Sequence, residues 1–322
     1  MTSQRPSILI AFGGNALNVN SKKHVHQKEE FIVARRSMAN VVDLLEKGYN
    51  KIIITHGNGP QVGRIALQQE LTKNEFPRQI TLDVCVADSQ GRIGYILQNV
   101  FDNICYERKI RKKASTVITQ VVVDVNDPAF LSPSKPIGVF YSKEEAEDLK
   151  NQRGWVMAED AGRGFRRLVA SPEPIEIIEK SKFQLLLEHD FIAIGCGGGG
   201  VPVMRNKNHE LRGVEAVIDK DKSSALLANT VGIHTLIILT EANFAYLNFN
   251  TPNQRPIKTA RVSEMQDYVS QGQFAKGSME PKIEACVSFL KGGGQRAIIA
   301  NLFDLPRALE GKIGTEILPD LS

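Results

Sequence analysis

Glycines recur beside the starts of helical patterns in this chain, and the most distinctive case lies in residues 52–63. The β-branched run Ile52-Ile53-Ile54 predicts a buried strand, and the turn Gly57-Asn58-Gly59 ends it. Apolar residues at helical spacing follow, so the glycines lie where a helix begins. Free backbone N–H groups at such a position bind anions, although this loop taken alone is more often a tight turn.

The same arrangement recurs in three other stretches. Short apolar strands lead into Gly13-Gly14-Asn15 and into residues 195–200, and residues 274–278 precede a helix that starts near Met279. The carboxyl ends of parallel strands meet at one edge of a sheet. The recurrence therefore predicts one face that binds polyanionic ligands.

Phosphoryl transfer is the chemistry that these loops indicate. Lys220, Lys276 and Lys282 stand near them, with Lys135 as a further candidate, and charge stabilisation supplies most of the catalysis in this reaction. The sequence shows no Ser/His/Asp set, no metal-ligand spacing, no G-x-x-x-x-G-K-[ST] and no well-placed G-x-G-x-x-G. For His56 we favour a structural role in its loop over proton transfer.

Composition narrows the class of protein. The 322 residues, 42% of them apolar, suffice for one large α/β domain or two smaller ones. Forty basic and thirty-six acidic residues leave a net charge of only +4, which argues against nucleic acid as a partner. No apolar run reaches the roughly 18 residues of a membrane span.

The four cysteines are scattered, which favours reduced thiols in a cytoplasmic protein over disulfides or zinc. Cys196 lies inside a glycine loop, so we expect it to be reactive.

Strands and helices alternate along most of the chain. The patterns predict helices over residues 29–48 and 82–106, strands over 117–123, 191–194, 235–239 and 297–299, a hairpin over 201–215 and an edge strand over 314–318. They also make Ser278 the N-cap of the last long helix.

Residues 124–170 interrupt this alternation with prolines, glycines and charged residues, which predicts a small subdomain inserted into the main fold. Lys135 lies in this segment between Pro133 and Pro136, where a lysine is ordinarily solvated. Farther on, Phe244, Tyr246 and Phe249 suit either a purine site or a small core cluster.

Nine motifs, in the same order from residue 8 to residue 317, resemble those of the carbamate kinases, within the amino acid kinase superfamily. They are Gly13-Gly-Asn-Ala-Leu17, His56-Gly-Asn-Gly-Pro-Gln-Val-Gly63, Ser89-Gln-Gly-Arg-Ile-Gly-Tyr95, Asp127-Pro-Ala-Phe130, Lys135-Pro-Ile-Gly138, Glu159-Asp-Ala-Gly-Arg-Gly164, Gly197-Gly-Gly-Gly-Val-Pro202, Gly213-Val-Glu-Ala-Val-Ile-Asp-Lys-Asp221 and Gly277-Ser-Met-Glu-Pro-Lys282.

The resemblance implies a three-layer α/β/α sandwich around a mostly parallel central sheet, with a lid-like subdomain protruding near residues 124–170. It implies a homodimer that interconverts ATP and carbamate with ADP and carbamoyl phosphate, in arginine metabolism. It also implies Mg²⁺ as a cofactor with the nucleotide, and we assign no residue of the chain as a metal ligand.

The resemblance also assigns roles to individual positions. By it, the catalytic residues are Lys220, Lys282, Asp221 and Lys135; the carbamoyl phosphate site comprises Gly13, Gly14, Asn15, Gly57, Asn58 and Gly59; and the nucleotide site comprises Gly198, Gly199, Thr240, Tyr246 and Met279.

Departures from the family pattern leave two alternatives open. Glu241 and Asn243 replace the usual aspartates of the nucleotide loop, and Glu280 stands where a small or apolar residue is common. We expect these changes to weaken nucleotide and phosphate binding. The alternatives are a related enzyme with a different small acceptor and a ligand-binding regulator without turnover. The lysines retained at 220 and 282 favour an enzyme.

Overall fold

The computed structural model describes residues 5–13, 27–72, 74–76, 80–160 and 162–321. Its strands are β1 (Ile8–Phe12), β2 (Ile52–His56), β3 (Ala114–Thr116), β4 (Gln120–Val122), β5 (Lys135–Tyr141), β6 (Val156–Glu159), β7 (Phe165–Val169), β8 (Glu176–Ile177), β9 (Ile192–Ile194), β10 (Val201–Arg205), β11 (Leu211–Gly213), β12 (Thr235–Thr240), β13 (Ala245–Leu247), β14 (Arg255–Ile257), β15 (Thr259–Arg261), β16 (Arg296–Asn301) and β17 (Thr315–Leu318). Its α-helices are α1 (Gln27–Glu46), α2 (Gly59–Leu71), α3 (Leu82–Glu107), α4 (Lys143–Arg153), α5 (Lys180–Glu188), α6 (Lys220–Val231), α7 (Val262–Ser270), α8 (Glu280–Lys291) and α9 (Leu305–Leu309).

An eight-stranded sheet forms the centre of the described structure, in the order β15-β17-β16-β12-β1-β2-β9-β3. From β16 to β3 neighbouring strands are parallel, whereas β17 runs antiparallel to β16. Parallel strands of this kind are buried on both faces, which explains their continuous apolar runs.

Two apolar cores cover the faces of this sheet. In β1, Ile8, Ile10 and Phe12 pack towards α1, α3 and α9, while Leu9 and Ala11 pack towards α5, α6, α7 and α8. Each side chain in this strand is at most 1% exposed, and burying an isoleucine contributes about 1.5–3 kcal/mol. The predicted three-layer sandwich with a mostly parallel central sheet is confirmed.

Two strand predictions need correction. The predicted strand over 117–123 is only β4, which joins a second sheet in the order β11-β10-β4-β8. The buried Gln90 side chain accepts from Thr119 N at 2.8 Å and donates to Thr119 O at 3.1 Å, so the Thr119 N–H is not available to a neighbouring strand, although Thr119 O still accepts from Val201 N at 2.8 Å. The last strand, β17, is not an edge strand, since β15 pairs on its other side.

Residues 135–169, here called the insert, form an antiparallel sheet of their own in the order β5-β7-β6, with α4 between β5 and β6. Ser142 and Glu145 form the capping box of α4. The insert crosses α2 where Gly63 meets Gly138, and a Cβ at Gly63 would overlap the Gly138 backbone. Gly138 also has φ +80°, so both positions require glycine.

Within the described parts of the chain, no helix combines the length and apolar character needed to cross a membrane.

Candidate active site

Three helices begin at one cavity of about 570 Å³, located at the carboxyl end of the parallel strands. They are α2, α6 and α8, and each directs the positive end of its helix dipole towards the cavity. Prolines at 60 and 281 occupy the first turns of α2 and α8, where no N–H is needed. Asp219 caps α6 by accepting from the backbone N of Asp221 and of Lys222. The cavity is therefore suited to anions before any side-chain charge is counted.

Two lysines share one carboxylate in this cavity. Lys220 Nζ contacts Asp221 Oδ1, and Lys282 Nζ donates to Asp221 Oδ2 at 3.0 Å. The exposed fractions of the Lys220, Asp221 and Lys282 side chains are 12%, 4% and 18%. One carboxylate between two ammonium groups leaves a local excess of positive charge.

Burial and pairing shift the pKa values of this cluster in different directions. Burial alone would raise the pKa of Asp221, but the two lysines outweigh burial and hold that pKa well below its usual range. Burial lowers the pKa of Lys220 despite the opposing effect of Asp221. At Lys282 burial again disfavours the charged form, but Asp221 outweighs it and the pKa is raised.

Lys135 enters the cavity from the insert, because it is the first residue of β5. Its Nζ donates to Asp219 Oδ2 at 2.6 Å. Lys135 thereby keeps the pKa of Asp219 below its usual value, although burial acts in the opposite direction. Sequence reasoning missed Asp219 as a site residue, although its place before Lys220 as a helix cap was a usable signal.

Some residues of the predicted glycine loops line the main cavity, and others do not. Gly57, Asn58, Gly59 and Gly198 line the cavity, whereas Gly13 and Gly199 are not among its lining residues. The predicted Gly14 and Asn15 lie outside the described residues.

Packing explains the conformation of the loop at Gly198. Asn58 Nδ2 donates to Ser89 Oγ at 2.8 Å, so this side chain is held in the protein interior. Gly198 has φ +64°, and a Cβ there would overlap the Asn58 amide. The two loops are consequently packed directly against each other.

A second cavity of about 230 Å³ adjoins the first at Ser278. Its lining includes the predicted nucleotide residues Thr240, Tyr246 and Met279, together with Phe249. The Tyr246 and Phe249 rings lie 6.1 Å apart, centre to centre, with their planes tilted by 40°, and both line this cavity. This arrangement favours the purine-site interpretation of the aromatic residues.

The stretch 274–278 was wrongly grouped with the strand-end loops. It follows helix α7 and its turn, and no strand leads into it. The predicted N-cap is also wrong, since Met279 precedes α8 and no side chain caps that helix.

His56 and Cys196 are both buried in the loop region. His56 is 1% exposed, and burial lowers its pKa from 6.5 to about 4, so the ring is neutral at physiological pH. Its Nδ1 lies 3.2 Å from Gly57 O, which supports a structural role. The expectation of a reactive Cys196 is wrong, because the thiol is fully buried and burial raises its pKa.

Comparison with known proteins identifies the family of this chain. The chain matches the model of the Amino acid kinase family over residues 6–301. It is 45% identical to the carbamate kinase of Clostridium perfringens over 97% of this chain and 99% of that one, and 43% identical to the carbamate kinase of Pyrococcus horikoshii with the same coverage of each. This chain belongs to the carbamate kinases of the amino acid kinase family.

A solved structure of another carbamate kinase shares the whole fold. Carbamate kinase from Giardia lamblia bound to AMP-PNP superposes with a TM-score of 0.89 at 37% identity, covering 98% of this chain and 99% of that one. The fold and family predicted from the nine motifs are confirmed.

The carboxylates of this family member are not arranged as a metal cage. Asp219 and Asp221 line the main cavity, but Lys135, Lys220 and Lys282 occupy their side-chain oxygens. Among the described residues no group of three or more His, Cys, Asp or Glu side chains is placed to hold a metal ion. A Mg²⁺ ion fits this site as part of a nucleotide substrate, on phosphate oxygens and water.

Proposed function

We propose that this chain transfers a phosphoryl group reversibly between ATP and carbamate, with ADP and carbamoyl phosphate as the products. The observation that carries this proposal is the Lys220–Asp221–Lys282 cluster, which lies beside three helix N-termini and adjoins the aromatic cavity. The similarity to carbamate kinases names the acceptor. The roles of the individual residues below are part of the proposal.

The reaction needs positive charge more than it needs a base. Carbamate is an anion, so its oxygen attacks the γ-phosphorus without losing a proton. A bond forms between these atoms while the bond from phosphorus to the bridging oxygen breaks, and ADP keeps that electron pair. Lys220 and Lys282 offset the repulsion between the two anions and stabilise the charge spread over the transferred group. The absence of proton transfer is compatible with a buried, neutral His56.

The nucleotide enters as MgATP or MgADP. We assign its base to the smaller cavity, beside Tyr246, Phe249 and Met279, and its phosphates to the larger one. Gly57, Asn58 and Gly59 line the larger cavity and surround the transferred group. The resemblance assigns Gly13, Gly14 and Asn15 to the same site. The Mg²⁺ ion neutralises part of the phosphate charge.

The insert acts as a lid in this proposal. Lys135, Arg163 and Arg166 of the insert line the main cavity, so movement of the insert changes the charge above the substrate. A lid also excludes water from a reactive acyl phosphate.

We further propose a cytoplasmic homodimer, which the resemblance associates with arginine metabolism. The pairing surface is the apolar patch on α1 and α3, where Ile32 and Tyr95 are 56% and 59% exposed and Phe31 packs against Tyr95. The four free cysteines support a reducing compartment.

A coupled assay for ATP formed from carbamoyl phosphate and MgADP tests the reaction. Turnover at micromolar to millimolar substrate is the expected result. Binding of MgADP without ATP formation would contradict the proposal. In that case, turnover with another acyl phosphate would indicate a different acceptor, and no turnover with any would indicate a regulator.

A further inference from the structure

Two arginines of the insert are fixed together at the wall of the main cavity. Asp160 Oδ1 accepts from Arg163 Nη2 at 3.3 Å, and Asp160 Oδ2 accepts from Arg166 Nη1 at 3.1 Å. Both guanidinium carbons lie over the Phe140 ring, at 4.9 and 5.3 Å from its centre. One carboxylate and one ring therefore hold two cations whose combined charge Asp160 only half neutralises.

The cavity has no spare carboxylate to neutralise the remaining charge. In the described part of the chain the lining carboxylates are Asp219 and Asp221, and both are paired with lysines. The excess positive charge of the arginine pair therefore faces a cavity already rich in ammonium groups. Such a surface calls for a polyanionic ligand.

Arg166 has the geometry of a ligand-binding group. Its side chain is only 14% exposed, and its Nε is buried without a hydrogen-bond partner among the described residues. A buried donor left unpaired is unfavourable, so a ligand that supplies an acceptor is favoured. Asp160 uses Nη1, which leaves the Nε and Nη2 edge for two parallel bonds to an oxyanion.

We propose that Arg166 is a substrate-binding residue that holds the phosphoryl oxyanion of carbamoyl phosphate through Nε and Nη2, with Asp160 as its positioning residue. This inference rests on the proposed function. Arg166 lines the phosphate cavity and not the aromatic one, so it is placed to hold a phosphate group and not the nucleotide base. The measurements below separate carbamoyl phosphate from the nucleotide phosphates.

Two substitutions and a matched control test this assignment. Arg166→Gln removes the positive charge and the paired N–H donors of the guanidinium group. Arg166→Lys keeps the positive charge but not the paired donors. Lys150→Gln removes one positive charge from the same insert at a position outside the cavity, where Lys150 pairs with Glu147. We measure kcat and KM for carbamoyl phosphate, and the Kd for MgADP by calorimetry.

Arg166→Gln is expected to raise the KM for carbamoyl phosphate by about tenfold or more, while the Kd for MgADP stays within about twofold. Arg166→Lys should restore only part of the loss, since an ammonium group cannot make two parallel bonds. Lys150→Gln should behave as wild type. An unchanged KM in Arg166→Gln, with a wild-type melting temperature, overturns the proposal.

Other results separate this inference from the proposed function. If the Kd for MgADP rises as much as the KM, Arg166 binds the nucleotide phosphates and the assignment to carbamoyl phosphate is wrong. If wild type forms no ATP, the proposed function fails, and inorganic phosphate then serves as the probe: weaker phosphate binding in Arg166→Gln supports the oxyanion site, and equal binding refutes it. If Arg166→Gln does not fold, Arg166→Lys decides by the same criteria.

The positioning role of Asp160 requires a double-mutant cycle. Asp160→Asn should raise the KM for carbamoyl phosphate in the wild-type background and have little further effect in Arg166→Gln. Equal effects in both backgrounds would show that Asp160 does not act through Arg166.

Discussion

Asp221 is the residue on which the charge distribution of the site depends. It is 3% exposed and contacts both Lys220 and Lys282, so each lysine keeps a partner even when the other is removed. Substitution of a single lysine therefore leaves no unpaired buried charge. Loss of activity in such a variant reports on the reaction more than on folding.

Lys220→Ala and Lys282→Ala should each lower kcat by on the order of 10²-fold or more and change KM much less, because their charge acts most strongly in the transition state. Steady-state kinetics in the direction of ATP formation measures this. Lys222→Ala is the matched control, since Lys222 lies on the same turn of α6 but contacts Glu173 outside the cavity. A change confined to KM would assign the lysines to ground-state binding.

His56 gives a prediction for the free energy of unfolding. Its pKa is about 4 when folded against 6.5 ordinarily, so between these pH values the unfolded chain binds the extra proton. The stability contributed by the neutral ring is thus complete above pH 6.5 and is lost as pH falls towards 4. At about pH 5 this group lowers the free energy of unfolding by about 2 kcal/mol relative to neutral pH.

The variant His56→Gln should lack the pH-dependent part of the free energy of unfolding that comes from His56. It should keep substantial turnover. Urea unfolding of both proteins at neutral and acidic pH measures the difference. If the free energy of unfolding falls equally in wild type and His56→Gln between neutral and acidic pH, the argument that burial keeps the His56 ring neutral is contradicted. Loss of the chemical step in a folded His56→Gln would reinstate general base catalysis.

The positions of Lys220, Asp221 and Lys282 were accessible from sequence, because each follows from its own helix. All three lie in the first turns of α6 and α8, and the catalytic roles that the resemblance assigns to them stay predictions. Arg166 was missed because its orientation depends on Asp160 and Phe140, which approach it only when β5, β6 and β7 pair.

At the scale of elements, hydrogen bonds between residues distant in sequence determine where strands end and which strands pair. Local sequence patterns do not contain this information. The apolar run 117–123 is typical of one strand, yet the chain leaves the central sheet after β3 and joins the second sheet at β4. Between them Thr119 N donates to the Gln90 side chain of α3. Similarly, the pattern of β17 predicts a strand but contains no information about β15, which pairs with it from outside. The sequence thus predicted that β17 is a strand but not which strands lie beside it, and it did not predict β5, β6 and β7 individually.

The only tryptophan of the chain gives an optical probe of the insert. Trp155 lies between the guanidinium groups of Arg153 and Arg167, at 5.3 and 4.5 Å from the ring centre, and Arg153 also pairs with Glu70 on α2. If the insert moves over the substrate, this junction with α2 rearranges. Carbamoyl phosphate should therefore shift the Trp155 emission in wild type.

Lys135→Ala should reduce that shift and lower kcat/KM by on the order of tenfold or more, without lowering the melting temperature, since the substrate loses its lysine contact with the insert. Lys150→Gln again serves as the control. An unchanged kcat/KM would mean that Lys135 is a solvated surface lysine. Constant emission at saturating substrate would mean that the junction stays fixed.

At the scale of the whole molecule, the insert is joined to the main fold through a backbone contact. Gly63 of α2 meets Gly138 of β5, and around them Val62, Ile137 and Val169 are buried in one apolar cluster. The same helix begins at the loop 57–59, so its N-terminus and its contact with the insert move together.

Gly63→Ala should therefore displace the insert, lower the free energy of unfolding by about 1–3 kcal/mol and reduce turnover with carbamoyl phosphate. Gly91→Ala in α3 is the control, because a Cβ there meets nothing within 4 Å. That variant should be as stable as wild type or slightly more so. Urea unfolding and steady-state kinetics measure both effects, and wild-type behaviour of Gly63→Ala would show that the two glycines have room to separate.

The cavity draws its charged groups from two structurally separate parts of the chain. Lys220 and Lys282 belong to helices of the sandwich, whereas Lys135 and Arg166 belong to residues 135–169, which have a sheet of their own. Under the proposed function, exchange of that one segment between relatives would replace Lys135 and Arg166, which we place at the acceptor, and keep the lysines of the sandwich. New acceptors are thus reachable by recombination at two points in the gene, without many coordinated point mutations in the core.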